Sequence, residues 1–306
     1  MYAVAAEPQE RPLVSLILVT YNSAGLLAPF LTTLATTSYR PYELIVVDNA
    51  SADTTVADLA NWPDLRVIVR QTNQGFGRAC NQGAAAAHGE LLIFLNPDVT
   101  FTPEWLGRLV ETMQHDQTAA IVCPETLYPA ELPQPKPSAI PEESAAVPGS
   151  ALMIRRSDWQ ALGGFDERIF MYWEDVDLCW RAWLAGRRVL IERRAIVYHT
   201  RGGSGGGGGK WEAEAAKNGL YVHLKMMRWR VIIPFLLWLL AKTSTRALLG
   251  RPGMAHAWRW NFQNLGATLA ARRMLATTRR IDPARLEALA VRHAKNQRRA
   301  RLWYTR

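Results

Sequence analysis

Residues 171–181 read MYWEDVDLCWR and bring together the side chains best suited to acid–base chemistry. Glu174, Asp175 and Asp177 lie between Trp173 and Trp180. From Glu174 onward, Val176, Cys179, Trp180 and Trp183 recur at helical spacing, so one face is apolar. Gly186 supplies a C-terminal stop. Three acids therefore open a mostly buried helix, where a carboxylate is favoured by the helix dipole. Capping alone accounts for one such acid. Three among aromatic rings, after Gly163 and Gly164, point to Asp175 as a catalytic base. The rest of the chain must supply its substrate.

The elements that would position this helix alternate between strand and helix. Strands are expected at 13–19, 43–47, 65–70, 91–95, 119–123, 149–155, 188–192 and 195–197. Helices are expected at 24–36, 54–61, 78–88, from Thr102 and Pro103 to 115, and from Ser157 to Gly163. The strands are apolar on both faces, which implies an α/β chain with a mostly parallel sheet covered by helices. In such sheets ligands bind beyond the carboxyl ends of the strands. Thr20, Tyr21 and Asn22, then Asp48 and Asn49, then the loop 73–77, then Asn96 and Asp98, all follow strand ends. They should converge on one crevice. The proline-rich stretch 128–148 reads as a long loop, of the kind that often serves as a lid.

The formal charge of +9 is unevenly placed. Residues 201–306 carry 21 Lys/Arg against 4 Asp/Glu, and residues 1–200 carry 15 against 23. An acidic globular part is thus joined to a basic tail suited to an anionic surface. Cys80, Cys123 and Cys179 form neither a metal pattern nor a disulfide framework, which suits a reducing compartment. The N-terminus lacks the pattern of a signal peptide. Residues 202–209 hold seven glycines and one serine. They read either as a flexible linker or as a loop that orders over substrate. In the tail, residues 231–241 are eleven apolar residues, short of the roughly 20 needed to span a bilayer. With Arg228, Trp229, Arg230, Trp258, Arg259 and Trp260 at its flanks, this segment suits either a membrane interface or a buried helix. Residues 272–306 read as one basic helix.

At this point the chain resembles a known family. VSLILVTYN (14–22), VVDNASAD (46–53), NQGFGRACNQG (73–83), LLIFLNPDV (91–99) and GGFDERIFMYWEDVDLCWRAWLAG (163–186) are similar to glycosyltransferase family 2. The nearest subgroup is the bacterial rhamnosyltransferase-like enzymes of cell-surface polysaccharide assembly. The resemblance covers residues 12–200. It implies a GT-A fold, a nucleotide-sugar donor, a divalent cation (Mg²⁺ or Mn²⁺) and inversion at the anomeric carbon. By the same resemblance, Thr20, Tyr21, Asn22 and Asp48 hold the nucleoside. Asn73, Gly75 and Gly77 lie near the diphosphate and sugar, with Arg78 and Asn81 behind. Asn96 and Asp98 stand at the metal motif, with His199 completing the metal site. Asp175 is the base, while Glu174 and Trp173 form the acceptor side. Asp177 is explained by an i,i+4 pair with Arg181.

Two departures from the family pattern are visible. The metal motif reads Asn-Pro-Asp, which removes one charge; the same form occurs in the rhamnosyltransferase-like subgroup, and that resemblance implies dTDP-rhamnose as donor. The tail reads Lys225-Met-Met-Arg228-Trp229, without the glutamine of processive synthases, so transfer of one or a few sugars is expected.

The implied organisation is a disordered N-terminus (1–11), a catalytic domain (12–200), a glycine-rich loop (201–210) and a basic helical membrane-associating region (211–306). The implied acceptor is a polyprenyl-diphosphate-linked glycan at the cytoplasmic face of the cell membrane. A UDP-hexose donor, or nucleotide-sugar binding without catalysis, are the competing readings. Oligomeric state is left open, a homo-oligomer being compatible. Nucleic acid is disfavoured, because the acidic domain would repel a polyanion and the tail carries no recognised module. A dinucleotide fold is disfavoured because TYNSAG replaces the glycine fingerprint after the first strand.

Overall fold

The computed structural model describes residues 11–62, 65–128, 140–200, 209–248 and 254–292. Its strands are β1 (Val14–Thr20), β2 (Tyr42–Asp48), β3 (Arg66–Val69), β4 (Leu91–Leu95), β5 (Val99–Phe101), β6 (Ala119–Leu127), β7 (Glu142–Glu143), β8 (Ala151–Arg155) and β9 (Arg188–His199). The helices are α1 (Ala24–Ala35), α2 (Thr55–Leu59), α3 (Phe76–Ala86), α4 (Trp105–His115), α5 (Arg156–Leu162), α6 (Glu174–Leu184), α7 (Gly209–Met226), α8 (Trp229–Leu248), α9 (Ala255–Gln263) and α10 (Leu265–Thr278).

All nine strands form one sheet in the order β3-β2-β1-β4-β8-β6-β9-β5, with β7 on β9. β1 to β4 are mutually parallel. β8 runs antiparallel between β4 and β6, and β6 and β9 are again parallel. This is the mixed, mostly parallel GT-A sheet implied by the motifs. The period-2 alternation of a strand divides its residues between two layers. Ile17, Val19, Ile45 and Val47 pack with Cys80, Trp159, Trp180 and Trp183 on one face. Leu16, Leu18 and Val46 pack with Phe30, Trp105 and Leu109 on the other. Both faces of β1 are therefore covered, and all seven of its residues are buried.

Several details differ from the sequence expectation. The two strands expected at 188–192 and 195–197 are one strand, β9, whose pairing with β6 shifts register opposite Pro124 and Glu125. β5 was not foreseen. It has three residues and exists by pairing with β9. α3 begins at Phe76, so Gly77 lies in a helix and not in the loop. α5 starts at Arg156, and Gly163 closes it in the left-handed conformation at φ 77°. Of the proline-rich loop, residues 129–139 lie outside the described residues, and 142–143 form β7. The expected disordered residues 1–10 and the glycines up to 208 also lie outside them.

The tail begins as part of the hydrophobic core of the sheet domain. Leu220, Tyr221, Val222 and Leu224 of α7 are buried in the same cluster as Trp180 and Trp183. α8 extends past Lys242 to Leu248. At 20 residues it is long and apolar enough, by length and composition, to cross a membrane, and only 11% of its apolar window is buried. The expectation of a segment too short to span ended the helix at the first lysine; Lys242 and Arg246 instead pair with Glu212 and the helix runs on. The basic stretch from Arg272 is not one helix either. α10 ends at Thr278, and the Arg280 N–H donates to Leu184 O (2.7 Å), turning the chain before a further helical stretch at 283–292.

Candidate active site

A cavity of about 280 Å³ opens beyond the carboxyl ends of β1, β2 and β4. Of the residues singled out from the sequence, Thr20, Tyr21, Asn49, Asn73, Asn96, Glu174, Asp175 and His199 line it. They come from six separate segments, brought together because parallel strands end on one edge.

On the side of β1 and β2, Thr20 Oγ1 donates to Asp48 Oδ1 (2.9 Å), and the Ser51 N–H donates to Asp48 Oδ2 (2.9 Å). Asp48 is fully buried, so it stands behind Thr20 and ties the two strand ends together. Asn22 has the same tying role. Its N–H donates to Ser51 Oγ (2.9 Å) and its Oδ1 accepts the Ala52 N–H (2.8 Å). Neither residue lines the cavity.

The loop 73–75 is built around two amides. Asn49 Nδ2 donates to Asn73 Oδ1 (2.9 Å) and to Gly75 O (3.1 Å), and Asn73 Oδ1 also accepts the Gly75 N–H (3.0 Å). Gly75 sits at φ 93°, and a Cβ there would lie 2.2 Å from Phe170 O, so only glycine fits. Gly77 is buried against Phe165, where a Cβ would come within 3.0 Å of that side chain. Arg78 does not line the cavity; it pairs with the exposed Glu167 at 3.5 Å. Asn81 grips the Phe165 backbone through both its amide nitrogen and oxygen (3.0 Å each). Thus Gly77, Arg78 and Asn81 hold the 165–170 segment against α3.

Two adjacent carboxylates, Glu174 and Asp175, lie opposite. Asp175 Oδ2 accepts the Gly149 N–H (3.0 Å), and Oδ1 accepts the Val176 N–H (2.7 Å). Glu174 is buried, and its Oε2 has no hydrogen-bond partner among the described residues. Burial, reinforced by the Asp175 charge, pushes Glu174 up to about 8. Burial also raises Asp175, against the two N–H groups that stabilise its charged form. Of the two, Glu174 is the more readily protonated, because only Asp175 has side-chain oxygens that accept backbone N–H groups. Asp177 faces away from the cavity. It is fully buried and binds Arg181 (2.7 Å) and Lys225 (2.6 Å).

Trp173 differs from its expected place as a wall of the acceptor site. It does not line the cavity, because its left-handed backbone (φ 76°) turns the ring toward α7. There it meets His223 edge-on (5.3 Å) and lies against Gly219. Tyr172 lines the cavity instead. The sequence marked the aromatic run, but not which ring would turn inward.

Asp98 and His199 meet on the third side, with His199 Nε2 at 3.1 Å from Asp98 Oδ1. Asp98 is buried and His199 faces the cavity. Ser150 Oγ is buried without a partner among the described residues, and Ser150 lines the same cavity beside Asn96. A carboxylate, an imidazole and neutral oxygen donors fit a hard or borderline cation that keeps other ligands from substrate and water. No cluster of three charged or thiol ligands exists among the described residues, so the donor set is open.

Comparison with known proteins agrees with this geometry. The profile described as "Glycosyl transferase family 2" matches residues 15–194. The pre-mycofactocin glycosyltransferase of Mycobacterium tuberculosis is 32% identical over 211 residues, covering 63% of this chain and 43% of that protein. The N-acetylglucosaminyl-diphospho-decaprenol L-rhamnosyltransferase of the same organism is 28% identical over 230 residues, covering 60% of this chain and 75% of that one. Among solved structures, mannosyltransferase PcManGT from Pyrobaculum calidifontis, in complex with GDP-Man and Mn²⁺, superposes with a TM-score of 0.60 at 21% identity. It covers 96% of this chain and 90% of its own. GalNAc-T7 with UDP, GalNAc and Mn²⁺ gives 0.61 at 18% identity, over 72% of this chain and 49% of that chain. At these identities the two structures establish the shared fold.

Proposed function

The chain belongs to glycosyl transferase family 2, and from that premise we propose that it transfers a sugar from a nucleotide-sugar donor to a hydroxyl acceptor with inversion. The observation that carries this reading is the placing of Asp175 and His199 on one cavity, with the buried Asp98 carboxylate in contact with His199. An inverting displacement needs a base at one end and charge neutralisation at the other. The acceptor oxygen attacks the anomeric carbon while the bond to the diphosphate oxygen breaks. The acceptor proton passes to Asp175, a step in which a positioned carboxylate contributes about 10²–10⁴-fold. Protonated Glu174, beside it, donates a hydrogen bond to an acceptor oxygen. Thr20, Tyr21 and Asn73 line the nucleotide side of the cavity. Asp98 and His199 would hold Mg²⁺ or Mn²⁺, with Asn96 in reach. The cation supplies Lewis-acid neutralisation of the leaving diphosphate when bound.

We read the donor as dTDP-rhamnose and the acceptor as a polyprenyl-diphosphate-linked glycan; the relative named as an L-rhamnosyltransferase of a diphospho-decaprenol-linked sugar supports the rhamnosyl group and the lipid diphosphate. The GDP-mannose complex among the solved structures keeps a nucleotide-hexose donor as the second reading. A lipid-linked acceptor is consistent with α8, whose Trp229, Ile233, Leu237, Trp238 and Leu240 are exposed. An apolar helix face of this kind suits the interface of the cytoplasmic leaflet.

A panel of nucleotide sugars with Mn²⁺, run on the intact protein and on Asp175→Asn, tests the reading. Transfer or slow donor hydrolysis by the intact protein is expected, strongest with dTDP-rhamnose. Asp175→Asn should lose transfer yet keep nucleotide binding. Full transfer by that variant removes the base assignment, and preference for a UDP- or GDP-hexose removes the rhamnose assignment.

A further inference from the structure

The matched family region ends at residue 194, and α7 lies beyond it. Yet α7 makes the contacts that shape the segment immediately before Glu174 and Asp175. Tyr172 and Trp173 are consecutive non-glycine residues in the left-handed region, at φ 67° and 76°. L-residues disfavour this conformation and hold it only where surroundings impose it. Trp173 is also the N-cap of α6, so its backbone sets the direction in which the helix carrying Asp175 begins.

Three α7 residues impose that geometry. Asn218 is completely buried, and its Nδ2 donates to Met171 O (2.9 Å) and Tyr172 O (3.0 Å). Glu214 Oε1 lies 3.3 Å from the same nitrogen and is itself held by Lys217 (2.6 Å). A flipped amide would set its oxygen against two carbonyls and a carboxylate, so the orientation is forced. Among the described residues Asn218 Oδ1 has no partner, so every hydrogen bond of the side chain there is one it donates. One position on, Gly219 gives room for Trp173; a Cβ there would lie 3.0 Å from the indole. One turn further, His223 packs edge-on against Trp173 and stacks on Phe235 of α8 at 4.0 Å. The His223 ring is itself oriented by its Nδ1 contact with Gly219 O (2.7 Å).

We propose that Asn218 is a positioning residue for glycosyl transfer: with Gly219 and His223 it clamps residues 171–173, turning Tyr172 into the cavity and aiming Asp175 at the acceptor. This assignment rests on the reading of Asp175 as the base. The clamp acts on the acceptor side alone, since Thr20, Asn73 and Asn96 belong to elements it does not touch. Loss of the clamp should therefore separate turnover from donor-nucleotide binding.

The test compares Asn218→Leu and the milder Gly219→Ala with the intact chain and Asp175→Asn. Calorimetry with UDP and dTDP reads nucleotide binding, the preferred donor reads turnover, and amide hydrogen exchange reads peptides spanning 166–177, β1 and β4. In both clamp variants exchange at 166–177 should quicken by about tenfold or more, with β1 and β4 unchanged. Turnover should fall by about 100-fold, the scale of a 1 Å misplacement of a reacting group, with nucleotide affinity within about twofold of the intact chain's, since the clamp does not touch the nucleotide side. Unchanged exchange at 166–177 in both variants overturns the clamp. So does a uniform rise that includes β1 and β4 with loss of nucleotide binding, which would make Asn218 an ordinary core residue. Quickened exchange with full turnover overturns the positioning role. Full turnover in Asp175→Asn defeats only the base reading, and the exchange measurement still decides the clamp.

Discussion

His199 Nε2 lies 3.1 Å from Asp98 Oδ1 although 101 positions separate them. The contact exists because β5 pairs antiparallel with β9, putting Val99 opposite His199. The Thr200 N–H donating to Asp98 O (2.9 Å) secures the same corner. A three-residue strand thus assembles the part of the cavity proposed to hold the cation.

If that corner holds the cation, either side chain should be needed for metal affinity. His199→Ala and Asp98→Asn should each raise the Mn²⁺ concentration for half-maximal transfer by at least the roughly 10–100-fold seen when even outer-shell partners are lost. A Mn²⁺ titration of transfer after EDTA treatment measures this. Unchanged metal response in both variants would place the cation elsewhere.

Glu174 makes stability depend on pH in a defined direction. Its folded-state value of about 8 stands above the ordinary 4.5, so the folded chain binds more protons between these limits. Stability from this group is full below about 4.5 and is lost as pH rises toward 8, at up to about 1.4 kcal/mol per pH unit. Glu174→Gln should flatten the slope and be more stable than the parent at pH 8. Urea midpoints at pH 5.5, 7 and 8.5 would show it. A variant with the parent's pH slope would refute the buried, protonated state.

The Asp166–Lys225–Asp177 network should behave in the opposite sense. Lys225 lies 2.7 Å from Asp166 and 2.6 Å from Asp177. Its charge holds Asp166 down at about 2, against the desolvation that would raise it. This depressed value contributes about 2 kcal/mol above pH 4, lost as pH falls from 4 to 2. Lys225→Met should therefore be destabilised at pH 7, by about 3–5 kcal/mol, because Asp166 and Asp177 stay buried with less compensation. The deficit should shrink at pH 3. Chemical denaturation at both values checks it.

The exposed face of α8 bears on where the protein works. Leu237 is 63% exposed and Trp238 54%. Leu237→Glu combined with Trp238→Glu should abolish sedimentation with vesicles containing anionic phospholipid, since each such side chain is worth about 1.5–3 kcal/mol on burial. Hydrolysis of the donor in the absence of lipid should be unchanged. Equal vesicle binding by the double variant would assign membrane contact to another surface.

Local sequence carried much of the architecture. Apolar runs of strand length, polar residues at their ends, and the acids at the head of an amphipathic helix are short-range signals, and they located β1, β2, β4, α6 and the crevice. The Asp177–Arg181 pair was legible for the same reason, being one helical turn apart. Ser150 and Tyr172 have no assigned role in the sequence reading, because only the meeting of segments distant in sequence brings them to the cavity.

What the tertiary structure alone decided follows from contacts that no local pattern encodes. β5 is too short to announce itself and is stable only beside β9. Trp173 faces α7 because its backbone is left-handed, a state its residue type disfavours and long-range packing enforces. Glu174 and Asp175 are adjacent and chemically alike in sequence. Burial without a partner favours the protonated form of one, while the N–H groups of Val176 and, from a distant loop, Gly149 favour the charged form of the other. Composition made the tail basic and aromatic; packing made its first helix part of the catalytic core and left the face of the second exposed.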